Sequence, residues 1–374
     1  MSISSLCVSL HCGNKSKCIM SEKYQIIDGK CRIPNSVTSV SGFTGCKELT
    51  SIVLPDSVTY IGESAFQGCT ALTSIRLPKN LKEIGEYAFE GCTSLKDLFI
   101  PESLTDIGEH AFSGCKSLRN IVVDENNKGY DSRDNCNAII ETCTNELILG
   151  CTNTVIPKNV IAIRNYAFEG CQDLTRVYIP QNVREIGSFA FEGCSSLTNI
   201  VVSENNMRYD SRDNCNAIIS TITDQLAIGC KGTVIPNTVK SIGQYAFFKC
   251  ASLSEIVFPP SVKRIRYLAF KGCSGLKNLE IPQSIEQIDE SAFEDCTGLK
   301  TITLNCFLEE LVYIFKRCSS LESVYIYGKI AKMYSVFAGC DALKAIYVPA
   351  KKSDYYKRRV DDHAHLVVEM APIR

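Results

Sequence analysis

The sequence predicts an α/β solenoid: short coils of chain stacked in register, with parallel strands on one side and short strands, turns and short helices outside. Three observations carry this. A Cys recurs at 46, 69, 92 and 115, every 23 residues, and the series resumes at 171, 194, 250, 273, 296, 318 and 340. Three residues before each of these eleven stands a Phe, and three after stands a Leu. The two interruptions, Cys115 to Cys171 and Cys194 to Cys250, are each 56 residues long and each contain the string YDSRDNCNAII, at Tyr130 and at Tyr209. Fixed-period self-similarity marks a repeat architecture, and residues near 92–170 and 171–249 read as two copies of one larger module.

One unit, residues 55–77, justifies each element in order. Pro55 opens it, since Pro cannot continue a central ladder. Val58 and Ile61 suggest a short extended piece closed by Gly62. Residues 63–69 have room for about two helical turns, with Gly68 placed to stop them. Leu72, Ile75 and Leu77 then end the unit with the alternation of a strand that has one face buried. Val58, Ile61, Ala65, Phe66, Cys69, Leu72, Ile75 and Leu77 are too many apolar groups for one unit to bury. Stacked neighbours bury them in a continuous core. The expected organisation is therefore one elongated repeat domain over 33–349, with inserts near 124–156 and 203–235. Residues 1–32 would form an N-terminal cap or leader and 350–374 a C-terminal cap. In the last two units the first half of the pattern is lost, so an irregular outer wall is expected there. Residues 351–359, KKSDYYKRR, read as a capping helix, with Ser353 as N-cap, Asp354 in the first turn and basic residues in the last.

The unit P-x-x-V-x-x-I-G-x-x-A-F-x-G-C-x-x-L-x-x-I resembles leucine-rich repeats of the BspA-like type over about residues 33–349. The resemblance implies a curved right-handed solenoid whose parallel sheet lines the concave face. It also implies a cell-surface or secreted setting and a role in adhesion or protein binding. The Gly after Ile gives way to Arg164, Arg266 and Asp289, a departure from the pattern.

Composition excludes some functions. Forty basic and 41 acidic residues leave a net charge of −1, which gives no basic stripe for nucleic acid. No apolar run approaches the ~18 residues of a membrane span. The start, MSISSLCVSLHCG, has no basic n-region and is not read as a signal peptide. Of 21 cysteines, the eleven at the repeat position read as small buried hydrophobes.

The inserts have a hairpin pattern, two apolar runs about a polar centre. With the turn centred between Cys143 and Thr144, Cys136 faces Cys151, and Cys215 faces Cys230 in the second copy. These pairs are candidate disulfides, against the simpler reading of packed thiols. The stretches DENNKGYDSRDN and SENNMRYDSRDN carry oxygen ligands that calcium could use. Their spacing fits no EF-hand loop, and Asp and Asn are ordinary turn residues. Cys7, Cys12, Cys18 and Cys31, near His11, are spaced C-x4-C-x5-C-x12-C, unlike the close ligand pairs of zinc sites. No metal or cofactor is expected. His110 stands at a variable position, His363 and His365 lie in the tail, and no catalytic motif occurs.

Function is expected on the outward strand positions, which vary while the core does not. Arg76, Asp97, Phe99, Arg176, Tyr178, Glu255, Glu280, Tyr325 and Tyr347 are the candidate binding residues. The column Val53, Phe99, Val122, Tyr178, Val201, Val257, Tyr325, Tyr347 is apolar or aromatic, as protein recognition favours and as strand propensity alone also favours. The expected activity is non-enzymatic binding of a protein or glycan. A structural spacer that self-associates is the rival.

Overall fold

The computed structural model describes residues 26–371. Every coil repeats one plan. In the unit 55–77 the strand Ser74–Arg76 points only Ile75 inward, and the shorter strand Tyr60–Ile61 buries Ile61. Ala65, Phe66, Cys69 and Leu72 are fully buried between them.

The outer segment is not helical. Residues 63–69 run as successive turns, because two positions per coil are left-handed. Two residues before the Phe stand Ser64, Tyr87, His110, Tyr166, Phe189, Tyr245, Leu268, Ser291, Tyr313 and Ser335, all with φ between 45° and 61°. Two residues after it stands a Gly such as Gly68 (φ 70°), or Lys249, Asp295 or Arg317. An L-residue with positive φ breaks an α-helix. It also redirects the N–H groups along the stack: Phe66 donates to the Ala88 carbonyl and Gly68 to that of Glu90, both at 2.7 Å. The outer turns thus form a third rung-to-rung ladder in place of i to i−4 bonds.

Contacts divide the chain into two compact units, one reaching Leu174 and including Asn182–Cys194, the other comprising Thr175–Gln181 and the residues from Ser195 on. In the first unit the longer strands Lys30–Arg32, Ser51–Val53 and Ser74–Arg76 pair in parallel. Asp97–Ile100 pairs with Asn120–Val123. A second parallel ladder joins Ser39–Val40, Tyr60–Ile61, Glu83–Ile84 and Asp106–Ile107. Between the ladders Phe43, Phe66, Phe89 and Phe112 stack with centroids 5.0, 5.1 and 5.2 Å apart. From the second of these coils on, the buried cysteine three residues after the Phe donates its thiol to the Phe carbonyl of the preceding coil, from Cys69 to Phe43 (3.0 Å), Cys92 to Phe66 (3.2 Å) and Cys115 to Phe89 (3.3 Å). That carbonyl also accepts the N–H of its own coil's Cys. A small side chain with one weak donor fits this place.

The insert adds a rung. Ala138–Glu141 and Glu146–Gly150 form the expected hairpin, and Glu146–Gly150 pairs in parallel with Ala162–Ile163, which pairs with Glu185–Ile186. Gly150 donates to the Ala167 carbonyl (2.8 Å) just as Phe89 donates to Ala111, and the Cys171 thiol reaches the Gly150 carbonyl at 3.9 Å. Gly150 therefore occupies the Phe position of an extra coil, and the Phe168 ring lies over it. A Cβ on Gly150 would sit 2.2 Å from Phe168 Cε1. Gly229 and Phe247 repeat the arrangement at the same 2.2 Å. Gly150→Ala should cost about 1–3 kcal/mol through overpacking, read from chemical denaturation, with Gly129→Ala, whose Cβ meets only Asn127 Oδ1 at 3.8 Å, as the milder control.

In the second unit Arg176–Ile179 pairs with Asn199–Val202. The second hairpin, Ala217–Ser220 with Gln225–Gly229, leads in parallel to Ser241–Ile242, Arg264–Ile265 and Gln287–Ile288. The longer strands Asn278–Ile281, Thr301–Leu304, Ser323–Ile326, Ala345–Val348 and Val367–Glu369 make a five-stranded parallel sheet. The last two outer walls are regular, contrary to the sequence expectation. Phe307–Val312 and Lys329–Tyr334 are six-residue parallel strands, since both bury two apolar residues, Leu308 with Leu311 and Ile330 with Met333. The helix Ser353–Lys357 forms, with Lys352 rather than Ser353 at its N-cap. Glu369 Oε1 accepts the Ser353 N–H at 3.1 Å. From this end Tyr356, Tyr355 and Arg359 donate to the carbonyls of Gly328, Ile330 and Ala331 at 3.1, 3.0 and 2.8 Å.

Candidate functional surface

The longer strands present alternate residues outward because the side-chain period of a strand is two. In the first unit the register aligns Arg32, Val53 and Arg76 and, next, Phe99 with Val122. Phe99 is 51% and Val122 41% exposed. Asp97 lies one row aside, aligned with Asn120. In the second unit Tyr178 aligns with Val201, and Arg176 with Asn199 in the adjoining row. Glu280, Thr303, Tyr325 and Tyr347 then share a column that continues to Val368. Tyr325 and Tyr347 stack at 4.7 Å and 12°. Glu255 and Val257 are exposed but lie in no strand; the shortened coil before them, residues 231–235, supplies no strand to pair with.

Two column positions escaped the sequence reading. Val155 is 72% and Val234 71% exposed. Each precedes an Ile-Pro pair as Phe99 and Tyr178 do, and in 233–235 the buried-exposed-buried alternation persists. Asn153 Nδ2 reaches the Arg119 carbonyl at 3.1 Å, which lays the first of these segments beside the Asn120 strand. The recurring Ile-Pro was the available signal; the missing Leu at the usual spacing hid it.

The other candidate sites are occupied with structural duties. Asn127 is buried. Its Oδ1 accepts the N–H groups of Gly129 and Tyr130, both at 2.9 Å, and its Nδ2 donates to the carbonyls of Pro101 and Leu104. Asn206 does the same work in the second copy. Asp131 and Asp210 are paired with Arg133 and Arg212. The Asp/Asn stretches are turns, and among the described residues no group of three or more His, Cys, Asp or Glu could hold a metal ion. Cys7, His11, Cys12 and Cys18 lie outside the described residues; Cys31 is buried in the first strand.

The hairpin cysteines do not face each other as the symmetric turn predicts. A bulge between Ile139 and Ile140 moves the register so that Ala138 opposes Gly150. The Cys151 thiol donates to the Asn137 carbonyl at 3.4 Å and that of Cys136 reaches the Ala138 carbonyl at 4.0 Å. The second hairpin carries the same bulge. Burial pushes Cys136 and Cys215 up to about 11 and Cys115 up to about 12, which disfavours the thiolate that reacts. Among the described cysteines only Cys143, at the first hairpin tip, is exposed; Ile222 takes its place in the second. All thiols of Cys136, Cys151, Cys215 and Cys230 should titrate in denatured, unreduced protein. In the native state Cys143→Ser should remove one fast-reacting thiol. Four missing thiols after denaturation would establish the disulfides instead.

Ser113 Oγ lies 3.2 Å from His110 Nδ1, and Glu169, raised by burial, bonds to the same Ser113. The serine is 5% exposed. His110, Arg164 and Tyr166 line a neighbouring pocket of only about 40 Å³, so this group is a packed outer turn. No helix among the described residues is long and apolar enough to cross a membrane.

Residues 36–146, 146–224 and 227–344 match the family model described as BspA type leucine-rich repeat region (6 copies). A leucine rich cell surface protein of Faecalibacterium prausnitzii is 25% identical in its solved structure, with 96% of each chain covered and a TM-score of 0.51. A leucine-rich repeat protein of Eubacterium ventriosum is 19% identical, covering 87% of this chain and 84% of its own, with a TM-score of 0.54. Among curated proteins none matches this chain.

Proposed function

Since the chain belongs to the BspA type leucine-rich repeat family, we propose that it is a non-enzymatic binding solenoid whose outward column of apolar residues engages a partner protein. The observation that carries this reading is the row of exposed apolar residues in each unit, broken by arginines in the first. Val53, Phe99, Val122 and Val155 in the first unit, and Tyr178, Val234 and Val257 in the second, are each between 41% and 78% exposed. Single exposed apolar residues are ordinary on any surface, whereas exposed apolar residues recurring at one position of successive coils support a contact surface. The similarity to a leucine rich cell surface protein supports a surface setting for it.

Aromatic anchors at interfaces carry a disproportionate share of binding energy. Replacing Phe99, Tyr178 and Tyr325 with Ala should weaken the partner by at least about tenfold, or ~1.4 kcal/mol, while the unfolding midpoint changes little. The partner would be captured from the native source and its affinity measured against both proteins. Unchanged affinity would reject this surface. Sedimentation across a concentration series tests the rival spacer reading, which requires self-assembly.

A further inference from the structure

Within the first unit the column runs Arg32, Val53, Arg76, Phe99, Val122. We infer that this stretch, as a refinement of the binding reading above, receives an amphipathic α-helix whose stripe carries two acidic residues and then apolar ones. Three observations point there.

The first is charge. Arg32 and Arg76 are exposed, and neither makes an ion pair among the described residues. The carboxylate that Arg76 influences, Asp56, is already held by Lys79 at 3.3 Å. Two unpaired guanidiniums on one column, with Val53 between them, complement two carboxylates on one stripe. Asp97, one row aside, would repel an evenly acidic ligand and favours a basic residue on the partner's flank.

The second is hydrogen bonding. The strands' backbone groups point along the stack, and the interior coils spend them on each other, as Thr73 to Thr50 and Lys96 to Thr73 show. Beyond the terminal strand Lys30–Arg32, the column therefore offers side chains and no free ladder edge. An extended segment lying across it would leave its own N–H and C=O groups unpaired against apolar surface. A helix satisfies its backbone internally.

The third is period. Strands are about 4.8 Å apart, so one rung equals about 3.2 residues of helix at 1.5 Å each. Successive column residues then meet positions near i, i+3, i+6 or i+7 and i+10 of one helix, a stripe that drifts by about 40° per rung and so spans about four rungs. Arg32 and Arg76 fall opposite i and i+6 or i+7, and Val53 and Phe99 opposite the apolar positions, with Val122 at the margin.

The test is selection of the full chain against a displayed library of 20-residue helices with randomised surface positions, followed by affinities of the winners. Winners should carry Asp or Glu about seven apart, with apolar residues between and beyond. Arg32→Glu with Arg76→Glu should weaken them at least 30-fold, and Phe99→Ala at least tenfold, with circular dichroism and midpoint unchanged. Winners without the acidic pair, or indifferent to the arginine reversals, overturn the inference. So does tight binding of heparin lost with the same reversals while no helix binds, which would make the surface a polyanion site. If the captured natural partner depends on Phe99 but not on Arg32 or Arg76, the binding surface stands and the acidic helix falls. If it depends on none of them, both fall.

Discussion

Phe89→Ala will destabilise the first unit by about 3–5 kcal/mol. The ring is fully buried and is stacked on both faces, 5.1 Å from Phe66 and 5.2 Å from Phe112. Truncation removes its transfer energy and leaves a cavity that neighbours cannot fill, because their positions are fixed by rung-to-rung hydrogen bonds on three sides of each coil. Coil stability in a repeat array is an intrinsic term plus nearest-neighbour interfaces, so the loss acts on both adjoining interfaces. Chemical denaturation followed by circular dichroism reads it. A shift under about 1 kcal/mol would contradict the stacked spine.

Glu294→Ala should be the next most damaging change, at about 2–3 kcal/mol. The residue is 6% exposed, yet charged partners surround its carboxylate. Lys271 Nζ lies at 3.0 Å, Arg317 at 3.1 Å and Lys316 at 3.6 Å. Asp295 completes the cluster through two bonds to Arg317, at 2.6 and 2.7 Å. Removing one partner of a fully buried pair costs about 3–5 kcal/mol; here the cations are partly solvated, which lowers the figure. Glu294→Gln should recover part of it by keeping the volume. The bonds from Arg317 hold the Asp295 carboxyl below the usual range, followed by the opposing effect of burial. A depressed carboxylate stabilises the fold above its unfolded value and loses that contribution as pH falls through the lower, folded one. Asp295→Asn should therefore flatten the acid limb of the stability profile below about pH 4. An unaltered limb would show that Asp295 contributes nothing there.

The spine was legible because Phe, Cys and Leu keep fixed spacing and each does one job in every coil. The outward column was legible for a related reason: alternation in a strand is a property of the sequence. What escaped depends on backbone and neighbours. Tyr87, His110 and Tyr166 stand in left-handed positions that nothing in their side chains announces, so residues 63–69 and their equivalents read as helix. Gly150 looks like a hairpin glycine, and its role as the Phe position of an added coil appears only when Phe168 lies against it. The one-residue bulge that separates Cys136 from Cys151 has no sequence mark, since both strands there are apolar. The long strands Phe307–Val312 and Lys329–Tyr334 bury apolar residues three apart, Leu308 with Leu311 and Ile330 with Met333, a spacing that matches neither the lost motif nor strict alternation.

The phenols of Tyr355 and Tyr356 and the guanidinium of Arg359 have a consequence beyond local packing. They occupy three acceptors at the start of the Lys329–Tyr334 strand and its approach, the carbonyls of Gly328, Ile330 and Ala331. An uncovered parallel edge is a template on which further chains add and fibres grow. With those acceptors taken by side chains, an incoming strand meets an interrupted row at the start of that wall, which hinders addition of molecule upon molecule there.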